Sequence, residues 1–196
     1  MAEMSKVAMP RTRDELEELA WRARGDLGLG PNDRVPVARL LENVLPDLLD
    51  GFEVRVVENC MLGAAEAITD AVRPIITFSE STYDGVYRDQ PRPRMTAVHE
   101  LAHLLLHTGQ YQYAFTRRYD PLIDPERQAD VFAASFLMPE FAFRTVKTIE
   151  EAMKRFGVSR EAATCRARSL RMWRLIEAKP QPTRSKKKGT GKRRSP

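Results

Sequence analysis

The chain predicts an α+β fold, and three features carry the prediction. Three short runs have strand character: Phe52 to Val57, which alternates, and then Ala64 to Thr69 and Pro74 to Phe78. Two longer stretches are helical. Met95 to Leu106 reads as one helix, and in Asp124 to Met138 the apolar residues Ala129, Phe132, Ala133, Phe136 and Leu137 repeat at three and four, which makes one buried face. Glu150 to Phe156 and the segment after Ser159 read as a C-terminal helical hairpin, with Gly157 as a helix stop and Ser159 as an N-cap. Together they predict a small antiparallel or mixed sheet with helices beside it.

The remaining elements follow in order. Asp14 to Leu27 reads as a helix with Leu16, Leu19 and Ala20 on one side, ended by the glycine-rich Gly25 to Pro31. Pro36 to Val44 reads as a second helix, and the three strands come next. The last strand, Ile75 to Ser79, precedes the histidine-bearing helix; it is expected at a sheet edge, where it could take an extended polypeptide by backbone pairing. Ser79 to Pro93 and Gly109 to Ile123 read as polar loops bordering a cleft. Tyr111, Tyr113 and Tyr119 in the second loop read as surface aromatics, with the option that one polarises a substrate carbonyl. The expected divisions are a core over 1–147, a helical, helix-turn-helix-like segment over 148–178 and a disordered basic tail over 179–196.

His99-Glu100-Leu101-Ala102-His103 is an HExxH sequence, and the three histidines of the chain fall at 99, 103 and 107. Residues four apart on a helix project from one face with ~6 Å of rise between them. Two imidazoles so placed can share one Zn²⁺ at about 2.0–2.1 Å. Glu100 belongs beside them because water attacking a carbonyl needs a base to take its proton. The plain alternative is a helix with a histidine seam.

The second helix opens with Asp124 as N-cap and Pro125 in the first helical position, and carries Glu126 and Asp130 one turn apart. Glu126 can supply a third metal ligand, leaving the fourth position to water as a catalytic site requires. Asp130 can accept a hydrogen bond from the outer nitrogen of a ligating histidine. The alternative is an amphipathic helix whose acidic residues complement its dipole. Two imidazoles and one carboxylate suit zinc, with manganese possible where supply decides. His107 lies too far along a regular helix to join the same ion. It reads as a group behind the ligands or on the substrate side, or as a packed or capping histidine near the helix end.

Arg94 to His107 (RMTAVHELAHLLLH) followed by Glu126 to Pro139 (ERQADVFAASFLMP) resembles the ImmA/IrrE metallopeptidase family. Its pattern is approximately R-F-T-x-A-H-E-L-G-H-x-L-L-H, then E-x-x-A-(N/D)-x-F-A-A-x-L-L-M-P. The resemblance runs roughly from Phe52 to Leu170. Met95, Val98 and Ala102 depart from the family's Phe, Ala and Gly, and Asp130 stands where Asn is common; none of these removes a ligand or the base. The resemblance implies a gluzincin-like, zincin-type core and a zinc endopeptidase that cleaves regulatory proteins, often helix-turn-helix repressors of mobile elements or of DNA-damage genes. Spacing and composition alone reach only as far as a zinc hydrolase.

Charge is unevenly placed. Eight of the 32 basic residues lie from Lys179 onward, where no acidic residue occurs; the other 24 stand against 27 acidic ones, so 1–178 is about −3 although the chain is +5. The tail reads as a solubilising extension or as an electrostatic arm for nucleic acid or an acidic partner, without the interleaved aromatics that base stacking needs. No apolar run approaches ~18 residues and the first ten residues lack an apolar signal core, so no membrane and a cytoplasmic location are expected. Cys60 and Cys165 show no ligand spacing and are expected as buried free thiols. With Arg160, Arg166 and Arg168 on its second helix, the C-terminal hairpin reads by preference as packing, and alternatively as a DNA-binding element. Two function classes result: a peptidase, or a DNA-binding regulator with a structural or vestigial metal site. Glu100 favours the first, because a structural zinc site needs no base.

Overall fold

The longest element, helix α5 (Pro91–His107), carries all three histidines. In the computed structural model, which describes residues 3–110, 112–116 and 120–177, α5 begins four residues ahead of the expected Met95. Pro91 and Pro93 sit in its first turn, where a missing N–H leaves no helical bond unmade. Beside it runs α6 (Pro125–Leu137), started by Asp124, whose Oδ1 accepts from the backbone N–H groups of Glu126 at 3.0 Å and Arg127 at 3.3 Å. Helix α1 (Arg13–Asp26) covers α6 and opens with a reciprocal capping box between Thr12 and Glu15. Ala97, Val98, Leu101 and Ala102 of α5 and Ala129, Phe132, Ala133 and Phe136 of α6 are all buried in one core with Leu16 and Ala20 of α1.

The main sheet has three strands in the order β2 (Glu53–Val57), β4 (Ile75–Ser79), β3 (Ala67–Thr69). Strand β2 is parallel to β4 and β3 antiparallel to it, so the sheet is mixed and the fold α+β. The expectation that Ile75 to Ser79 forms an edge is corrected: it is the central strand. Ile75, Ile76 and Phe78, which fall on both faces, are buried, as in a strand covered on both sides of the sheet. The edge nearest α5 is β3, shorter than the expected 64–69 because the chain is still turning at Gly63 and Ala64. Strand β1 (Glu3–Val7) pairs antiparallel with β5 (Gln112–Thr116), which lies where a loop was expected.

Two further departures have local causes. The expected helix over Pro36 to Val44 is a composite of α2 (Val37–Arg39), a π-helical turn (Leu40–Val44) and α3 (Leu45–Leu48). Pro46 has no N–H to return to the carbonyl four residues back, and the chain widens just before it, with Leu45 N–H bonded to Leu40 O. Part of the expected Ser79–Pro93 loop is α4 (Glu80–Tyr87), laid so close on the start of α5 that a Cβ on Gly85 would stand 2.4 Å from Pro93 Cγ.

After α7 (Glu140–Phe143), the hairpin consists of α8 (Ile149–Phe156) and α9 (Arg160–Ser169), joined through left-handed Gly157 and Ser159, and followed by α10 (Trp173–Glu177). Buried arginines hold it down and brace the end of α6. Arg166, 2% exposed, donates to Met138 O and pairs with the Glu17 carboxylate. Arg94, 1% exposed, donates to the carbonyls of Val35, Phe156 and Gly157 and pairs with Asp89. Arg24 reaches Phe136 O at 2.6 Å. Each of the three ends on carbonyls at the C-terminus of α6 or α8, where helical acceptors are orphaned and the dipole is negative. Of the hairpin arginines offered for DNA, Arg166 is therefore buried in the core and Arg160 is paired with Glu150.

Cys60 and Cys165 are free thiols, but exposed rather than buried: the first lies on a 3₁₀ turn (Asn59–Leu62) and the second on α9. The basic segment 179–196 lies outside the described residues. No helix among those described is long and apolar enough to cross a membrane.

Replacing Arg94 by Met keeps the stem and strips three buried carbonyls of their donor. The expected loss is about 3 kcal/mol or more of unfolding free energy, read from urea melts. A loss below about 1 kcal/mol would show that Arg94 is not the clamp between α5 and the C-terminal hairpin.

Candidate metal centre

The single-turn spacing of α5 delivers His99 and His103 to one point, and the first turn of α6 brings Glu126 to meet them. The two Nε2 atoms are 3.0 Å apart; Glu126 Oε2 is 3.2 Å from His99 Nε2, and Oε1 is 3.5 Å from His103 Nε2. A tetrahedral zinc site with arms of about 2.0–2.1 Å has edges of about 3.3–3.4 Å, so this triangle fits such an ion in both size and donor type. The His103 side chain is 8% exposed and that of Glu126 70%, which gives the cluster one walled and one open side.

Each imidazole is held from behind. His99 Nδ1 donates to Asp130 Oδ1 at 3.0 Å. His103 Nδ1 lies 3.1 Å from His107 Nδ1, and His107 Nε2 lies 3.0 Å from Gln128 Oε1. His107 is 1% exposed, so the sequence option of a substrate-side histidine is corrected: it faces the core behind His103. Glu100 is about a quarter of a turn off the line of the two histidines and 9% exposed, and its Oε2 accepts from Thr69 Oγ1 at 2.7 Å. Strand β3 is thereby tied to α5 beside the cluster, a tie strengthened by Thr96 Oγ1 donating to Glu66 at 2.8 Å. Of the three tyrosines, Tyr113 lies on β5 opposite Lys6, and Tyr111 and Tyr119 lie outside the described residues.

Two of these residues escaped the sequence reading. Gln128 left a trace, as a polar residue on the apolar face of α6 beside Ala129 and Phe132, and fully buried polar groups need partners. Thr69 left none, being 31 positions from Glu100.

The charges follow the contacts. Burial works against a charged His99 ring, but hydrogen bonds to Asp130 and Glu126 outweigh it and hold its pKa up at about 10. Burial pushes His107 down to about 4, with only partial opposition from Gln128, so that ring is neutral near pH 7. The neighbouring His103 and His99 rings hold the Glu126 carboxyl far below the usual carboxylate range.

Residues 86–168 match a peptidase family described as the IrrE N-terminal-like domain. The matched segment contains all of α5 and α6 and starts after the three-stranded sheet, so it is narrower than the resemblance from Phe52 to Leu170. Among solved structures, the chain is similar to a Mycobacterium tuberculosis transcriptional regulator, with a TM-score of 0.50 and 17% identity over 80% of this chain and 46% of that one. At such identity the likeness is one of fold, and this chain spans less than half the length of that regulator. No curated protein matches the chain.

A ligand nitrogen must give up its proton to bind an ion. With His99 raised to about 10, the ion-free cluster carries a proton near neutral pH, so zinc uptake at pH 7 should release about one proton per ion. Affinity should rise with pH, by up to about tenfold per unit, and level off near the His99 pKa. Calorimetric titrations in buffers of different ionisation enthalpy measure this; uptake with no proton release would contradict it.

Proposed function

We propose, from the match of residues 86–168 to the peptidase family described as the IrrE N-terminal-like domain, that the chain is a zinc-dependent endopeptidase cleaving a regulatory protein, of the helix-turn-helix repressor class. The observation that carries this is the convergence of His99, His103 and Glu126 donor atoms within 4.8 Å of one another, with Glu100 on the same turn of α5 as His99. A zinc-type ion held there supplies Lewis acidity toward water and the peptide carbonyl. Glu100 is the general base: Thr69 engages Oε2, and Oε1 takes the proton of the attacking water and returns it to the departing amine nitrogen. Asp130 and His107 orient the two ligand rings.

The substrate path follows from the elements around the cluster. Among the described residues strand β3 is an edge strand, joined to Glu100 through Thr69, and its outer side offers backbone pairing to an extended polypeptide. On the other flank a groove of about 680 Å³ leads away from Asp130 between α6 and α9, lined by Met95, Val131, Ala134, Met138 and Ala162. Its lining combines these apolar side chains with the charged Arg13, Arg92 and Glu161, which suits a substrate segment carrying bulky apolar residues beside charged ones. Support for a regulatory substrate comes from the family match.

Glu100→Gln keeps the shape of the side chain and removes its basicity. Zinc content and melting temperature should match wild type, while cleavage of a repressor substrate falls by about a hundredfold or more. Glu126→Ala should lose the zinc itself, and Asp130→Ala should weaken it by about ten- to a hundredfold. Undiminished cleavage by zinc-loaded Glu100→Gln would remove Glu100 from the mechanism. Loss of zinc from Asp130→Ala but not from Glu126→Ala would exchange their roles.

A further inference from the structure

Gln128 is fully buried, and its amide is engaged on every side. Its Nε2 donates to the carbonyls of Met9 at 2.8 Å and Leu122 at 2.6 Å. Its Oε1 accepts from Arg11 Nη1 at 3.2 Å and lies 3.0 Å from His107 Nε2. Turning the amide over would set Oε1 against two carbonyl oxygens and the NH₂ group against a guanidinium, so only one orientation is possible. Oε1 then faces His107 as an acceptor, and His107 Nε2 must carry the hydrogen. A neutral imidazole has one N–H, which leaves His107 Nδ1 as an acceptor for its neighbour at 3.1 Å, His103 Nδ1. His103 donates there, and its Nε2 lone pair is the one presented to Glu126 and His99.

We propose that Gln128 is a positioning residue that acts through His107 to fix the tautomer and ring orientation of His103 toward the ion. The setting is imposed by Met9 O and Arg11 of the N-terminal segment together with Leu122 O, which decide which way the amide sits. Arg11 is itself anchored by its backbone N–H to Leu122 O at 2.9 Å. This deepens the metal-site reading above and rests on it. His99 is oriented by an exposed carboxylate, whereas His103 is oriented by a buried imidazole and a buried amide that connect it to residues 9–11.

Long-range proton–nitrogen spectra of full-length, ¹⁵N-histidine protein, metal-free and zinc-loaded, read the tautomers, and competition with a chromophoric chelator reads zinc affinity. His107 is expected as the Nε2–H tautomer before and after zinc is added. Gln128→Glu keeps an acceptor facing His107 and should hold that tautomer, with zinc affinity within about threefold of wild type. Gln128→Met is matched in length and lacks the acceptor; His107 should then populate both tautomers, and zinc should bind about ten- to a hundredfold more weakly. A purely structural glutamine would lower the melting temperature of both variants while leaving the His107 tautomer alone. His107 found as Nδ1–H in wild type, or a folded Gln128→Met with unchanged tautomer and affinity, overturns the proposal. If Gln128→Met does not fold, the wild-type tautomer and the Gln128→Glu affinity decide. Expected tautomers and tight zinc in a protein that cuts no polypeptide would refute the peptidase and leave the positioning role standing.

Discussion

The candidate site depends on one contact above all, the approach of α5 to α6 that lets a carboxylate on one helix reach two imidazoles on the other. Small side chains make that approach possible: Ala102 of α5 and Ala129 and Ala133 of α6 are fully buried. Interiors close-pack, so a methylene added at any of them would be felt as a displacement of the ligands. Helix α6 is also pinned at both ends. Asp124 caps its start and places Glu126 in the first turn, where the dipole favours a carboxylate; Arg24 and Arg166 take the carbonyls of Phe136 and Met138 at its finish. With α6 fixed along its axis, Glu126, Gln128 and Asp130 project at set heights against His103, His107 and His99.

That framework gives the two candidate ligand histidines different surroundings. His99 meets two carboxylates at the open side and so holds a proton until an ion displaces it. His103 backs onto the core, where a neutral ring and a buried amide set its hydrogen-bonding direction. One ligand is governed by charge and the other by geometry. The C-terminal hairpin belongs to the same framework. Arg166, which on sequence could have faced DNA, is spent on Glu17 and Met138 O, so the hairpin braces α1 and α6 and walls the groove beside Asp130.

Much of the site was legible in the sequence because its decisive spacings are local. His99 and His103 are one turn apart, as are Glu126 and Asp130, and helical geometry alone puts each pair on one face. Asp124, Ser159 and Gly157 were legible as caps and stop for the same reason. What was missed depends on partners distant in the chain. The central place of β4 requires both β2 and β3, the β1–β5 ladder joins Glu3 to Thr116, and Thr69 finds Glu100 only through the fold. The π turn before Pro46 and the helix over Glu80–Tyr87 were local, but polar or short enough to read otherwise. His107 and Gln128 show the boundary: each was visible as a residue out of place on an apolar face, while the bond between them was not.

Zinc K-edge X-ray absorption of the loaded wild-type protein addresses the centre of the account directly. A first shell of nitrogen and oxygen only, at about 2.0–2.1 Å, with the outer scattering of two imidazoles, is the expected spectrum. Sulfur at about 2.3 Å would move the ion to a cysteine site, and a spectrum with one imidazole or three would break the set of His99, His103 and Glu126 on which the proposed chemistry stands.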